Sequence, residues 1–429
     1  MINRYDVKEI SSIWTEEEKF KYYLKVELAH LQTLEEEGIA EKGTVEIIEK
    51  AKIDVQRILE IERITNHDII AFCTSITEQF PADFGRFFHF GITSSDVIDT
   101  AHALAIKDSM SIIEKDLLEL KSALRIKTLE TSDLLCIGRS HGISAEAMVF
   151  GQKFLSFEAE LERRLSDLRI ASDKLTGQFS GAVGNYTVIT PDQEEKTLKR
   201  LGLKVEAVSS QVVPRDHYAT IISIGSLIGS LFERMAIEFR LLQHSDIAEV
   251  HEGFSKGQKG SSTMPHKKNP ISSENITGMS RMLRSHIIPA LENCALWHER
   301  DISHSSVERM MLPDHFGILS YSARRMKNVV ENLVIERERI EAKAESNEKI
   351  YSSYVLHKLI QTNPTSKREE LYEAVQTSFF KATNKDELKV HLEKELSLRG
   401  LNHHASQWVN FENLRNHYKM QFKSILKRV

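Results

Sequence analysis

The chain has 429 residues, of which 41% are hydrophobic and 28% are charged, and its formal net charge is -5 at pH 7. This composition predicts a globular protein of two or three domains, and it provides no overall basic charge for binding nucleic acid or a membrane surface. Cys73, Cys136 and Cys294 are scattered without a CxxC pair. This pattern predicts buried thiols in a reducing compartment rather than a disulfide framework.

No segment predicts secretion or membrane insertion. The N-terminal sequence MINRYDVKEISSIW lacks the apolar core of a signal peptide, and its acidic residues argue against a transit peptide. The strongest apolar stretch, Ala219–Phe232, is shorter than the roughly 18 residues of a membrane helix and contains Gly225 and Gly229. We expect a buried helix packed closely on its neighbours, and a cytoplasmic protein.

Proline placement indicates long helices, because no proline occurs between Pro81 and Pro191. Ser94-Ser95-Asp96 supplies N-cap chemistry at the start of a long apolar-periodic segment. Apolar spacings of three and four predict further helices over Ala145–Leu175, Thr220–His244 and Ile271–Trp297, the last bent at Pro289. Strand-like alternation is scarce, so the expected fold class is all-α.

We expect three helical domains, with a smaller unit over residues 1–94, a long-helix bundle over 95–343 and a small peripheral domain over 344–429. The last part is richer in Lys, Glu and Asn. The apolar surface of long helices with apolar residues on more than one face is difficult to bury within one chain. A homo-oligomer is therefore expected.

The segment Gly257–Pro270, GQKGSSTMPHKKNP, has the composition of a functional loop. Its glycines and prolines disfavour a helix, and its hydroxyls and cations converge within a few residues. This combination suits a lid that closes over an anionic substrate. The alternative is an ordinary solvated loop whose lysines face water.

Two polar motifs lie further upstream. Asn66-His67-Asp68 either contributes to a pocket or simply caps a helix with a half-exposed histidine. In the stretch from His89 to Asp96, Thr93 and Ser94 precede the inferred helix start, where free N–H groups and the helix dipole favour an anion. Simple helix capping is the alternative there too.

Two further motifs contain candidate catalytic and binding groups. His141, in Gly138–Gly142, lies between glycines on an element joining helices, which suits a proton donor. The alternative is a core histidine satisfied by a backbone carbonyl. In WHERDISHSSVER, Arg300 and Arg309 with nearby serines could grip phosphate or carboxylate groups, or form only a charged turn between helices.

No motif predicts a metal or a cofactor. The 18 histidines are dispersed, with no HExxH and no cysteine pair at zinc spacing. Walker A and GxGxxG sequences are absent as well.

Several stretches together resemble one family, the bacterial-type adenylosuccinate lyases of the fumarase/aspartase superfamily. They run from Arg4-Tyr5 to Arg309 in the family's order and spacing: RY, HD, GITSSDVIDTA, GRSHGISAE, SGAVGNY, GQKGSSTMPHKKNPISSEN and WHERDISHSSVER. The resemblance implies an all-α, three-domain fold and a homotetramer built around a shared bundle of long helices. It also implies active sites that draw on three subunits.

The implied reaction is β-elimination of fumarate from adenylosuccinate, giving AMP, and from the succinylated carboxamide intermediate SAICAR, giving AICAR. By motif match, Ser261 is the general base and His141 the general acid, oriented by Glu274. Lys267 and loop N–H groups make the serine alkoxide accessible. No cofactor is implied.

The resemblance also implies substrate contacts. Ser262, Lys267 and Asn269 would bind the succinyl carboxylates, helped by Thr93 and Ser94. The remaining residues of the implied binding set, which contact the phosphate and nucleotide or complete the pocket, are Arg4, Tyr5, Asn66, His67, Asp68, His89, Gln211, Lys268, Asn275, Arg300, Ser305, Ser306 and Arg309.

The chain departs from the family's pattern at three positions, all of which keep a polar side chain. Asn66 stands where Arg or Thr is usual, Ser140 where Thr is usual, and Lys268 where Arg is common. These changes bear on substrate contacts and leave the reaction class intact.

Other readings stay open. Argininosuccinate lyase, fumarase and aspartase usually have a different residue at the position of His266, and they lack the WHERDISHSS pattern. The carboxymuconate cycloisomerase shares MPHK but lacks the phosphate-binding set Arg4, Tyr5 and Arg309. A non-catalytic helical scaffold would have lost Ser261, His141 or Lys267.

Overall fold

The computed structural model describes residues 2–254, 257, 260–261, 263–401 and 404–429, and the chain is mainly helical, as the sequence predicts. In these ranges, three short 3₁₀ helices cover Asn3–Tyr5, Glu348–Tyr351 and His404–Trp408. The α-helices are α1 Lys8–Ser11, α2 Glu16–Glu36, α3 Thr44–Ile48, α4 Val55–Thr65, α5 Asp68–Thr77, α6 Ala82–Gly85, α7 Ser94–Glu130, α8 Gly151–Asp173, α9 Pro191–Leu201, α10 Asp216–Gln243, α11 Ile271–Ser285, α12 Ile287–Glu292, α13 Ser303–Asn332, α14 Arg337–Ser346, α15 Ser352–Thr362, α16 Arg368–Lys381, α17 Lys385–Leu398 and α18 Phe411–Leu426.

Within the described residues, the strands form three two-stranded sheets. The first and last pairs are antiparallel and the middle pair is parallel. The pairs are β1 Leu135–Ser140 with β2 Ile143–Val149, β3 Thr176–Gly177 with β4 Lys204–Val205, and β5 Val250–His251 with β6 Val334–Ile335.

The long helix α7 begins at the predicted cap. The Asp96 carboxylate accepts the backbone N–H of Thr93 at 2.8 Å, which satisfies a group that the first helical turn leaves unpaired. The same carboxylate accepts the N–H groups of Ser180 and Gly181, both at 3.2 Å. Asp96 therefore caps the helix and also anchors the SGAVGNY segment.

Two predicted helix boundaries were wrong. The helix expected over Ala145–Leu175 begins only at Gly151, because residues up to Val149 pair with β1 in a hairpin. The helix expected over Ile271–Trp297 breaks after Ser285, ahead of the predicted bend at Pro289. Proline has no N–H to donate to the carbonyl four residues earlier, so the break appears one turn before the ring.

The apolar helix α10 packs as closely as its glycines predict. A Cβ on Gly225 would lie 2.1 Å from His315 Nε2, and one on Gly229 would lie 2.7 Å from Leu283 Cδ1. The helix is long and apolar enough to cross a membrane, but 56% of its most apolar 18-residue stretch is buried inside the chain. Core helices of soluble proteins have the same length and composition, and the side-chain burial supports that assignment.

Two compact units account for the described contacts. One comprises residues 1–118, 163–233 and 275–325, and its core includes the packed rings of Phe20, Tyr23 and Phe72. The other comprises residues 119–162, 234–274 and 326–429, and packs the β1–β2 hairpin against the C-terminal helices. The division into three domains at residues 94 and 343 stays a prediction.

The three cysteines differ in exposure. Cys136 is buried as expected, Cys73 is half-buried, and Cys294 is exposed, contrary to the prediction of buried thiols. Cys294 follows the short helix α12, and its Sγ lies 3.6 Å from the carbonyl oxygen of Ala290.

Candidate active site

The β1–β2 hairpin carries His141 at its tip. His141 and Gly142 have φ values of 55° and 77° and form the two-residue connection between Ser140 and Ile143. Positive φ at both positions is typical of a type I′ turn. The imidazole is exposed, and it makes no hydrogen bond with any described residue. The interpretation of His141 as a core histidine held by a carbonyl was therefore wrong.

An ion pair braces this hairpin. Arg139, two residues before His141, donates from Nη1 to Glu249 Oε2 at 3.1 Å and from Nη2 to Glu249 Oε1. Two parallel hydrogen bonds of this kind fix the planes of the guanidinium and carboxylate groups relative to each other. Because the Glu249 side chain is buried, the pair holds the strand next to the His141 turn in a defined position.

Ser261 lies in a turn of the signature loop. Its Oγ accepts backbone N–H groups from Met264 at 3.0 Å and from Thr263 at 3.3 Å. Donors aimed at an oxygen favour its ionised form. Ser262 lies outside the described residues.

The C-terminal half of the loop is fixed by side chain to backbone contacts. Asn269 Nδ2 donates to the Gly260 carbonyl, and Gln243 Nε2 donates to the Lys268 carbonyl, each at 3.0 Å. Glycine is required at position 260, since a Cβ there would lie 1.9 Å from the carbonyl oxygen of Lys267. Lys268 Nζ lies 5.7 Å from the centre of the Phe254 ring.

Lys267 and Glu274 are exposed. Among the described residues, neither side chain takes part in a hydrogen bond or ion pair. The expected pairing of Glu274 with His141 is not formed within the chain, and it stays a prediction for the assembled protein.

The Asn66-His67-Asp68 motif caps helices and also supports the site. Asn66, with φ 53°, ends α4, and His67 begins α5 by accepting the Ile70 N–H on Nδ1 at 3.3 Å. Because Nδ1 accepts this N–H, Nε2 is the ring nitrogen of His67 that can donate to a ligand. Asp68 Oδ2 pairs with Arg309 Nη2 at 3.1 Å, which joins two motifs far apart in sequence.

A cavity of about 160 Å³ is lined by Arg300, Ser305 and Arg309. Arg300 Nη1 donates to Gln211 Oε1 at 2.8 Å, so a fourth predicted residue lies beside them. Ser306 is exposed, and its hydroxyl donates to the Ser303 carbonyl instead. The structure thus gathers three of the predicted phosphate contacts around one cavity.

Tyr5 and Asn275 both contact Tyr321. The ring centres of Tyr5 and Tyr321 are 5.1 Å apart, and Tyr321 OH donates to Asn275 Oδ1 at 3.0 Å. Arg4 precedes Tyr5 and is exposed.

A second, open cleft of about 430 Å³ is lined by His67, His89, Thr93 and Ser94. His89 Nδ1 lies 2.6 Å from Oε1 of the buried Glu27. Burial of the ring opposes protonation, but the hydrogen bond and charge of Glu27 outweigh it, so the pKa of His89 lies above its ordinary value. Asp96 already accepts the backbone N–H of Thr93. An anion bound in this cleft would therefore find one N–H group fewer available at the start of α7.

Sequence reasoning missed a buried ion triad. Arg215 donates to Asp99 Oδ2 at 2.7 Å and to Glu308 Oε1 at 2.8 Å, and all three residues line the cavity of Arg300 and Arg309. Burial raises the pKa of the Glu308 carboxyl to about 7, although Arg215 acts in the opposite direction. No motif links three residues so far apart. Only the position of Glu308 inside SSVER hinted at it.

Backbone conformation also marks the site. Six non-glycine residues in the described part of the chain have positive φ, and five of them lie in the motifs singled out from the sequence: Asn66, His89, His141, Tyr186 and His298. Such conformations cost about 1–3 kcal/mol each and concentrate at functional sites.

Comparison with known proteins identifies the family of the chain. A family model described as Lyase matches residues 4–284. Adenylosuccinate lyase from Thermotoga maritima is 44% identical over 389 residues, which cover 90% of each chain. Those from Aquifex aeolicus and Bacillus subtilis are 42% and 41% identical, over 90% of this chain and 89% of theirs.

The chain belongs to the adenylosuccinate lyase family. Solved structures support the fold of the superfamily. A fumarate lyase from Mesorhizobium sp. BNC1 superimposes with a TM-score of 0.85 at 19% identity, covering 100% of this chain and 99% of its own. A β-carboxy-cis,cis-muconate cycloisomerase from Acinetobacter calcoaceticus gives 0.82 at 18% identity, covering 99% and 98%. The predicted all-α fumarase/aspartase fold is confirmed.

Proposed function

We propose that this enzyme eliminates fumarate from adenylosuccinate to give AMP, and from SAICAR to give AICAR. Its substrates are therefore small nucleotides carrying a succinyl group on nitrogen. Family membership at 44% identity supports the reaction, and the environment of the Ser261 hydroxyl supports the chemistry most directly.

Elimination begins with removal of a proton from the carbon next to a carboxylate. A serine hydroxyl is a weak base in water, so its alkoxide must be stabilised. The N–H groups of Thr263 and Met264 point at Ser261 Oγ, and Lys267 lies on the same loop. Closure of the loop over substrate would exclude water and strengthen these interactions.

The departing nitrogen must then receive a proton. His141 is the proposed donor, since the turn exposes its ring without a competing hydrogen bond among the described residues. Extra negative charge develops on the succinyl carboxylate during the reaction. Lys267, Asn269 and Ser262 are the proposed groups that stabilise it.

The cavity of Arg300, Ser305 and Arg309 is the proposed phosphate site, because two guanidinium groups there can form forked contacts with phosphate oxygens. Asp68 fixes the direction of Arg309, and Gln211 fixes that of Arg300. His67 would donate from Nε2 to the substrate.

A cytoplasmic homotetramer with active sites shared between subunits is the proposed assembly. Large apolar side chains remain exposed along the long helices, which is typical of a surface covered by other subunits. Examples are Ile126 on α7 at 53%, Ile170 on α8 at 51% and Leu241 on α10 at 55% exposure. His141, exposed at its hairpin tip, is suited to serve a site completed by another subunit.

The deciding experiment compares purified protein on adenylosuccinate, argininosuccinate and malate, following fumarate by its ultraviolet absorbance. Turnover of adenylosuccinate alone is expected. Preference for either other substrate would reassign the enzyme within the superfamily, and inactivity on all three would support a scaffold role.

Sharing of sites is tested by mixing inactive Ser261→Ala and His141→Asn proteins after mild dissociation. If the two residues serve one site from different chains, some sites in the mixture regain both groups and activity returns. No recovery over a range of mixing ratios would show that one chain supplies both.

A further inference from the structure

Three potential metal ligands converge at the edge of the cleft that holds His89. Glu27 lies on α2, Cys73 on α5, and His89 on the segment before α7. One ligand atom from each residue lies within 4.8 Å of the other two. Because the residues come from three separate elements, no spacing in the sequence reveals the cluster.

The chemistry of this set favours zinc. Carboxylate oxygen, cysteine sulfur and imidazole nitrogen are all ligands of Zn²⁺, and thiolate disfavours Mg²⁺ and Ca²⁺. Ligands about 2.0–2.3 Å from a tetrahedral ion lie about 3.3–3.8 Å from one another. The three ligand atoms, which lie within 4.8 Å of one another, are thus already near the spacing that a shared ion requires.

Burial and access both suit a bound ion. Glu27 is 1% exposed, and its two oxygens contact only the N–H and ring of His89 among the described residues. One turn further along α2, buried His30 leaves Nδ1 without a hydrogen-bond partner among those residues. Cys73 and His89 line the open cleft of about 430 Å³, so an ion could enter from solvent and keep one position free.

We propose that Glu27, Cys73 and His89 bind Zn²⁺, and that the ion inhibits the enzyme. Binding replaces the proton shared by Glu27 and His89 and displaces the thiol proton of Cys73, with both protons passing to solvent. Inhibition follows because His67 and Thr93 line the same cleft, and this part rests on the proposed function.

Calorimetric titration of ZnCl₂ into metal-free protein, in buffer without chelator, tests the binding. The variants are Cys73→Ser and, as a matched control, Cys294→Ser, which changes an exposed thiol elsewhere. Wild type and Cys294→Ser are expected to bind one tight equivalent per chain, and Cys73→Ser at least about tenfold more weakly. MgCl₂ should give no such equivalent. Equal zinc affinity in Cys73→Ser and wild type would overturn the site.

Enzyme kinetics test the inhibition separately. Zinc is expected to raise the apparent KM for adenylosuccinate in wild type and Cys294→Ser, and much less in Cys73→Ser. Tight zinc binding with an unchanged KM would overturn the inhibitory role and retain the site. If metal-free protein releases no fumarate, the proposed function fails, while the calorimetric result still decides whether zinc binds.

Discussion

The proposed phosphate cavity and the proposed catalytic segments differ in how their side chains are held. Around the cavity, Arg300 and Arg309 already have partners within the chain, in Gln211 and Asp68. On the hairpin and signature loop, His141 and Lys267 are exposed and make no side-chain hydrogen bond with a described residue. The proposed binding groups Arg300 and Arg309 are thus already oriented, whereas the side chains of His141 and Lys267 are not held by other described side chains.

This difference has an energetic meaning. Pairing a cation in advance removes its conformational freedom before binding, which lowers the entropy lost on binding. A general acid or base must instead exchange protons with substrate, and a strong internal hydrogen bond would compete with that exchange. Substitutions in the two regions should therefore separate losses of turnover from losses of affinity.

The largest effect is expected for Ser261→Ala, which removes the proposed base while its contacts are confined to its own turn. Turnover of adenylosuccinate should fall by about a hundredfold to 10⁴-fold. The melting temperature should stay within about 2 °C, because only two local hydrogen bonds are lost. Fumarate release and thermal melting measure the two quantities, with Ser285→Ala on α11 as a hydroxyl control. Substantial turnover by the variant would remove Ser261 from the role of base.

His141→Asn separates function from stability. Asn-Gly is the preferred sequence of a type I′ turn, so the hairpin should become as stable as wild type or more so. Turnover should nevertheless fall by at least about a hundredfold, because an amide cannot act as a general acid near neutral pH. His244→Asn, at an exposed position away from the motifs, serves as the control. A destabilised variant with normal turnover would show that His141 has a structural role.

Arg309→Met should act on affinity. Loss of a charge-assisted contact worth about 1.5–3 kcal/mol predicts a KM about 10- to 100-fold higher. Turnover at saturation should change far less, since Arg309 binds remote from the breaking bond. Steady-state kinetics on adenylosuccinate distinguish the two parameters, and Arg368→Met on α16 controls for loss of a surface charge. A fall in kcat at unchanged KM would contradict the proposed division between the regions.

The smallest effect concerns the buried triad. The Glu308 carboxyl has a pKa raised to about 7 in the folded chain, mainly by burial, against 4.5 for the ordinary group. The folded state therefore holds more protons than the unfolded state between these values, and stability falls as pH rises through this window. Glu308→Gln cannot ionise, so its melting temperature should decline less than that of wild type between pH 5 and 8. Parallel curves would show that Glu308 does not contribute.

Local signals in the sequence predicted the long helices. Thr93 and Asp96 marked the start of α7, and the absence of proline allowed its length. The hairpin escaped notice because the residues from Ala145 onward also fit a helical spacing, and only pairing with β1 decides between them. The triad of Arg215, Asp99 and Glu308 was not predicted either, because its members are far apart in the sequence.

For the site, motif resemblance grouped residues that the fold then partly brought together, as with Asp68 and Arg309. Periodicity could not have done so, because ion pairs between distant elements leave no local pattern. In the proposed assembly, His141 and Ser261 reach one site from different subunits, and local sequence signals do not report contacts between subunits.

The contact between Gly225 and His315 has a genetic consequence. A single-base missense change in any glycine codon adds a side chain, and at Gly225 even a methyl group would overlap the imidazole at 2.1 Å. Overpacking typically costs about 1–3 kcal/mol or more, a large part of the margin that keeps a protein folded. Alleles altered at this codon should therefore be temperature-sensitive, supporting growth in the cold and failing when the culture is warmed.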